Sequence, residues 1–242
     1  VTQTEPARAN FAQPRSSHFM GLLALFIAVM LISNVVVTKG VLLFPQLQFD
    51  LGPLQVRGIV TDGAFFLFPL AYVLGDVISE VYGFRTMRRV IMLGFGSLLL
   101  MTVCFWLTLQ LPGAPFWDNQ AALESVIGVV PQFVAAGLAG YLCGEFLNSF
   151  VLVKLKERTG ERSLWARVLG SSVVGQAVDT TVFCAIAATG LGIATVSDFL
   201  NYVIVGFVWK LAVEAGLLPV TYGVTGWLKR AEPSYGKVTA PS

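Results

Sequence analysis

The sequence predicts an all-α membrane protein of six transmembrane helices with both ends in the cytoplasm, and three observations carry that prediction. Its 242 residues are 55% hydrophobic, with a mean hydropathy of +0.74. Only 12% are charged, about half the share of an ordinary soluble domain. Six apolar stretches reach the roughly 20 residues a spanning helix needs, near 19–39, 62–82, 90–111, 124–153, 169–190 and 199–228. A lipid bilayer, the inner (plasma) membrane, is therefore the expected partner of most of the surface. The 16 basic and 14 acidic residues nearly cancel, which argues against nucleic acid as a partner. Cys104, Cys143 and Cys184 sit inside apolar runs without metal-ligand spacing, so buried thiols are expected, with no metal or cofactor.

The elements follow in order. Residues 1–18 read as a polar cytoplasmic segment leading straight into a spanning run, with no cleavable signal peptide expected. Residues 19–230 form the transmembrane domain. Between the first two spans, Val41 to Val60 alternates partly on either side of Leu51-Gly52-Pro53, the pattern of a short hairpin over the outer face. It would act as a lid or as a passive connector. The fourth and sixth spans are long enough to require tilt, kinks or extension beyond the bilayer. Pro131 and Pro219 mark the expected kinks. The end of the chain, 231–242, reads as a disordered cytoplasmic tail.

Loop charge sets the orientation. Arg8 and Arg15 precede the first span, and Arg85, Arg88 and Arg89 follow the second. Lys154, Lys156, Arg158, Arg162 and Arg167 lie between the fourth and fifth, and Lys229, Arg230 and Lys237 end the chain. Only Lys39 and Arg57 fall in the alternate loops. Positive-inside then places both termini in the cytoplasm.

The halves also show a faint correspondence. Ser33-Asn34 with Lys39 parallels Leu147-Asn148 with Lys154, and Gly75-Asp76 parallels Gly175-Gln176-Ala177-Val178-Asp179. Copies of three helices must run in opposite directions, an inverted 3+3 repeat with substrate near the midplane.

Ionisable residues inside spans cost ~2.5–3.5 kcal/mol each on insertion scales, so each needs a reason. Asp76 and Glu80 are four apart on the second span, and Glu145 and Asn148 three apart on the fourth. Gln176 and Asp179 are three apart on the fifth, and Lys210 and Glu214 four apart on the sixth. Each pair shares a helix face, and Asn34 joins them from the first span. These residues pair as interhelical glue, with Lys210 bridging Glu214 or Asp179, or together line a polar cavity. Acids outnumber the one lysine, which favours the cavity. Glu80 lies near enough to Arg85 and Arg88 to pair with either. Phe68 and Tyr72, on the face of Asp76, could stack a flat ligand, as could Phe207 and Trp209 on the sixth span. Gly140 and Gly144, four apart, permit close helix approach within the bundle or in a homodimer. The third span carries no ionisable residue after Arg89 and reads as scaffold.

The run from Phe68 through Gly75-Asp76 and Glu80 to Phe84, followed by Arg88-Arg89, resembles the signature of the queuosine precursor transporters, a vitamin-uptake-transporter-like family. The resemblance continues through Ser33-Asn34, Gly175-Gln176-Ala177-Val178-Asp179-Thr180 and Lys210, covering nearly the whole chain. It implies import of 7-cyano-7-deazaguanine or 7-aminomethyl-7-deazaguanine across the inner membrane, and a secondary carrier is expected, with proton coupling, sodium coupling and facilitated diffusion all open. A deazaguanine offers adjacent N–H donors that one carboxylate accepts in a bidentate pair. On this resemblance Asp179 or Glu145 takes the donor edge, while Asn34, Gln176 and Lys210 serve the carbonyl and the 7-substituent. Phe68, Tyr72, Asn148 and Glu214 complete the expected site, and Asp76, with Glu80 beside it, is the expected proton carrier.

Two alternatives differ in class. Substrate-binding subunits of energy-coupling-factor importers also have six helices and dock through small residues on the first, and here Ala24 and Ala28 are four apart. No Walker motif is present for an ATP-driven mechanism in this chain. An intramembrane aspartyl-type enzyme would use Asp76 and Asp179, but Val73 stands where the Gly-x-Gly-Asp pattern needs its first glycine. The single histidine, His18, precedes the first span, so the chain is not expected to be an enzyme.

Overall fold

A computed structural model describes residues 10–51, 54–128, 131–159, 163–187, 196–236 and 238–239. The order is β1 (Asn10–Phe11), α1 (Ser17–Val36), β2 (Gly40–Leu51), β3 (Leu54–Asp62), α2 (Phe68–Tyr82) and α3 (Phe84–Gln110). There follow α4 (Gln120–Leu123), one π-helical turn (Glu124–Gly128), α5 (Pro131–Thr159), α6 (Leu164–Ala187), α7 (Val196–Ala231) and β4 (Val238–Thr239).

Ser16 starts α1 by accepting a hydrogen bond from the Phe19 N–H at 3.0 Å, satisfying one of the donors a helix leaves open. Phe19, Phe26, Val29, Met30 and Ser33 form its buried stripe. In α3, Thr86, Met87, Val90, Ile91, Gly94 and Leu98 repeat at helical spacing and face inward. Leu99, Leu100, Trp106 and Leu107 point outward, as a helix on the lipid boundary requires. Among the described residues, five helices are long and apolar enough to cross a membrane: α1, α3, α5 from Ala135 onward, α6 and α7.

The second expected span is the exception. The run 62–82 yields a helix of 15 residues, about 22 Å long and short of the roughly 30 Å hydrocarbon core. Residues 63–67 form turns, Pro69 sets the first helical turn, and Gly83 ends the helix at φ 82°. Every residue of α2 from Ala71 to Tyr82 is buried, so the other helices surround it. A central helix shielded by protein need not match the bilayer thickness.

Other boundaries move for physical reasons. Pro131 is the first residue of α5 rather than a kink within a span, a position where its missing N–H is harmless. Pro219 lies inside α7, which runs 36 residues. The hairpin expected between Val41 and Val60 is present as antiparallel β2 and β3, with a register irregularity between Leu43 and Gln48. Phe44 there adopts φ 51°, and its ring meets Trp209 of α7 at 6.0 Å.

Two short strands near the ends of the chain pair with one another. β1 pairs with β4, Asn10 opposite Thr239 and Phe11 opposite Val238. Phe11 packs with Leu152, Val153, Leu164 and Val168. Glu232 is buried and accepts hydrogen bonds from Ser16 and from the Tyr82 hydroxyl (2.6 Å). A buried carboxylate with two donors holds the residues after α7 against α1 and α2.

Candidate functional site

The tightest helix contact sets the site. A Cβ on Gly144 would fall 2.5 Å from Asp179 Cβ, and one on Gly175 would fall 2.6 Å from Asn148 Cβ. A Cβ on Gly140 would lie 2.8 Å from the Asp179 carbonyl oxygen. The Gly140/Gly144 pair therefore serves α5–α6 packing inside the bundle. Gly75 plays the same part on α2, since a Cβ there would collide with Glu145 Oε1. Missing side chains thus let α2, α5 and α6 bring their polar residues together.

Two layers result. In the first, Asn148 Nδ2 donates to Asp76 Oδ1 at 2.9 Å, and Ser149 Oγ lies 3.4 Å from Glu145 Oε1. Ser172 and Gln176 Nε2 donate to the two oxygens of Glu214. Toward the start of α2, Asp179 Oδ2 accepts from Lys210 Nζ at 2.9 Å and from the Tyr72 hydroxyl at 3.2 Å. Lys210 also sits 5.5 Å above the Phe68 ring, a cation–π contact, and 3.4 Å from Thr180 Oγ1. Lys210 thus bridges Asp179, one of its two expected partners, while Glu214 takes neutral donors.

Asp76 Oδ2, Glu145 Oε2, Asn148 Oδ1, Gln176 Oε1 and the Tyr141 hydroxyl are buried without a hydrogen-bond partner among the described residues. Orphaned buried polar atoms are rare and costly. The amide orientations are chemically forced, because Asn148 and Gln176 must turn their NH₂ groups toward carboxylates. Their oxygens are left facing away. Asn34 is peripheral: its Nδ2 folds back onto the Met30 carbonyl at 3.0 Å, and its Oδ1 lies toward Gly137 of α5. Phe207 is half-buried, and Trp209 is engaged by the hairpin.

Glu80 belongs to a second centre. Arg167 grips it with Nη2 at 2.6 Å and Nε at 3.2 Å, Lys229 approaches at 2.8 Å and Lys156 at 3.4 Å. Arg85 and Arg88, the partners expected from sequence, are exposed. The chain reverses at Gly83 and carries them to the outside of α3. Lys156 also donates to the Asn10 carbonyl at 2.9 Å and lies over the Phe11 ring at 4.7 Å. The ends of α2, α5 and α7, the start of α6 and the terminal strands are joined here.

The buried Lys156 and Arg167 and the half-buried Lys229 were not legible as partners of Glu80, because their loop positions make them look solvated. The signal was present on α5, where Glu145, Ser149, Leu152 and Lys156 continue one buried stripe. Ser79, whose hydroxyl hydrogen-bonds Ser149 at 2.9 Å, and Tyr141 carried no such signal. Among the described residues no group of His, Cys, Asp and Glu is arranged to hold a metal. Asp76 and Asp179 are engaged by different partners rather than sharing a proton as an aspartyl dyad does.

Lipid-facing helices that enclose buried carboxylates and amides with unfilled hydrogen-bonding capacity define a multi-pass membrane protein built around an internal polar site, the construction of a solute transporter. Residues 62–224 match the family described as "Putative vitamin uptake transporter". The chain is 31% identical over 160 residues to a Bacillus subtilis (strain 168) protein named "Probable queuosine precursor transporter", a match covering 66% of this chain and 69% of that protein. The chain belongs to this vitamin uptake transporter family, and it is a multi-pass plasma-membrane transporter of a small molecule. No solved structure matches it.

Proposed function

We propose that this chain imports the queuosine precursors 7-cyano-7-deazaguanine and 7-aminomethyl-7-deazaguanine, as a secondary carrier. The observation that carries the reading is the set of partnerless buried atoms shared by α2, α5 and α6: Asp76 Oδ2, Glu145 Oε2, Asn148 Oδ1, Gln176 Oε1 and the Tyr141 hydroxyl. A deazaguanine brings several N–H donors on one flat edge and an acceptor carbonyl, so it can occupy acceptors that none of the described residues fills. Glu145 takes the donor edge, Asp179 and Lys210 hold the opposite side, and Phe68 and Tyr72 stack the ring. The name of the Bacillus subtilis relative points the same way. Asp76, hydrogen-bonded on one oxygen only, is the residue we assign to a coupled proton. Glu80, held by three cations, is a poor carrier by comparison.

The topology belongs to the same reading. Lys156, Arg167 and Lys229 gather at the Glu80 end, and positive-inside makes that end cytoplasmic. The short, enclosed α2 then counts as the sixth crossing, with α1–α3 and α5–α7 as inverted halves joined through Asp76 and Asn148. The Gly140/Gly144 pair is consumed by α6, so it is no basis for a homodimer.

Binding of the purified protein to the two deazaguanines, guanine and biotin tests the substrate. Stabilisation by either deazaguanine and not by biotin is expected; no response to both would end the assignment. One observation favours a second reading, in which the chain is the substrate-binding subunit of an energy-coupling-factor importer: Ala24 and Ala28 of α1 are exposed and open to a partner. Uptake by the chain alone in liposomes excludes that reading.

A further inference from the structure

At the end of the bundle that holds Glu80, the basic residues divide into two kinds. Lys156, Arg167 and Lys229 are drawn into the Glu80 centre, and Lys154 pairs with Glu157 at 3.0 Å. Arg15, Arg85, Arg158 and Arg230 do neither, and nor do the adjacent Arg88 and Arg89. Both are exposed, and among the described residues none offers either of them a carboxylate or a hydrogen-bond acceptor. Nor does helix stability account for them. They are the fifth and sixth residues of α3, past the first turn within which the helix dipole acts.

They do line a groove. Arg88 and Arg89 stand at one end of a shallow depression, open to the surroundings and of about 480 Å³, between α3 and α5, completed by Met92, Leu93 and Phe146. Met92 and Leu93 are each 54% exposed, on the outer surface of a helix that spans 27 residues, about 40 Å. That length exceeds the roughly 30 Å hydrocarbon core. Residues one to two turns from the start of α3 therefore sit where headgroups meet acyl chains. Phe146 packs edge-to-face against the Phe84 ring at 5.0 Å, which joins the α5 wall of the groove to α3. Two guanidiniums at headgroup level above an apolar furrow match the two parts of one molecule, an anionic phosphate and an alkyl chain.

We propose that the α3–α5 groove is a binding site for an anionic phospholipid, with Arg88 and Arg89 on the headgroup phosphate and one acyl chain along Met92, Leu93 and Phe146. Guanidinium is suited to this task, because its planar fork takes two phosphate oxygens at once. The site lies on the outer surface beside α5, the helix that carries Glu145 and Asn148. It is independent of which solute the central layer binds.

The test uses the full chain in nanodiscs and in detergent. Native mass spectrometry counts bound lipid after titration with phosphatidylglycerol, phosphatidylcholine or inorganic phosphate. Phosphatidylglycerol is expected to bind tightly to the wild type and to bind Arg88→Gln/Arg89→Gln about 30-fold more weakly, at about 1 kcal/mol for each basic residue near the surface. Lys154→Gln, a basic residue at the same end outside the groove, should bind like the wild type. Raising the ionic strength should weaken phosphatidylglycerol binding to the wild type, a measurement that needs no variant. Equal binding of phosphatidylcholine, or equal phosphatidylglycerol binding by wild type and double variant, would overturn the proposal. Inorganic phosphate displacing the lipid at equal concentration would also overturn it, marking the arginines as a free-anion site.

Discussion

Replacing Glu80 by glutamine keeps the side-chain shape and removes one charge from the most heavily paired position in the protein. The carboxylate is 1% exposed and meets Arg167 at 2.6 Å, Lys229 at 2.8 Å and Lys156 at 3.4 Å. At an effective dielectric of about 20, one ion pair near 2.7 Å carries about 6 kcal/mol of attraction. Much of that offsets the cost of removing the charges from water. The net loss on deleting one member of a buried pair is about 3–5 kcal/mol. Glutamine offers a single neutral carbonyl where three cations converge, and the cations then repel one another, so Glu80→Gln should fall in that range. The assay is unfolding of the purified protein in mixed micelles, followed by tryptophan fluorescence. Lys154→Gln is the control, because its exposed partner Glu157 makes that pair worth at most about 1 kcal/mol. If Glu80→Gln unfolds within about 0.5 kcal/mol of the wild type, the centre is not what ties α2, α5, α6 and α7 together.

Gly144→Ala should destabilise the protein by about 1–3 kcal/mol, since its Cβ would meet Asp179 Cβ at 2.5 Å. Gly216→Ala, with nothing within 4 Å, should be neutral or stabilising by up to about 1 kcal/mol in the same unfolding measurement. Phe11→Ala should cost about 3 kcal/mol and raise the rate of limited proteolysis before Ser16; an unchanged rate would mean that the terminal strand is not anchored by its ring. Asp179→Asn removes the charge that holds Lys210 at 2.9 Å and should lower deazaguanine uptake at least about tenfold, by about 1.4 kcal/mol or more; normal uptake and affinity would remove it from the site. Asp76→Asn should flatten the dependence of uptake on external pH, and an unchanged pH profile would remove the proton role.

The lipid-facing helices were legible because composition and length report the solvent directly. Helices α1, α3, α6 and α7 lie close to their expected limits. The short α2 was not legible, because an apolar run does not say whether lipid or protein surrounds it; residues 63–67 continue the hydropathy of α2 but not its backbone. The polar stripes on α2, α5, α6 and α7 were readable from spacings of three and four. Their pairing was not, since it depends on glycines whose meaning appears only when Gly144 and Gly175 are seen facing one another. The same limit hid the Glu80 centre. Lys156, Arg167 and Lys229 come from three separate places in the chain, and charge counting assigned them to solvent.

Uptake of labelled 7-aminomethyl-7-deazaguanine or 7-cyano-7-deazaguanine into liposomes containing only this chain tests the account most directly. The account predicts saturable uptake by the wild type that excess unlabelled deazaguanine suppresses and biotin does not. It further predicts that Glu145→Gln and Asn148→Leu each reduce uptake while retaining folded protein. Saturable uptake unaffected by both substitutions would contradict placement of the site among α2, α5, α6 and α7. No uptake of either compound by folded wild-type protein would contradict the stand-alone carrier itself.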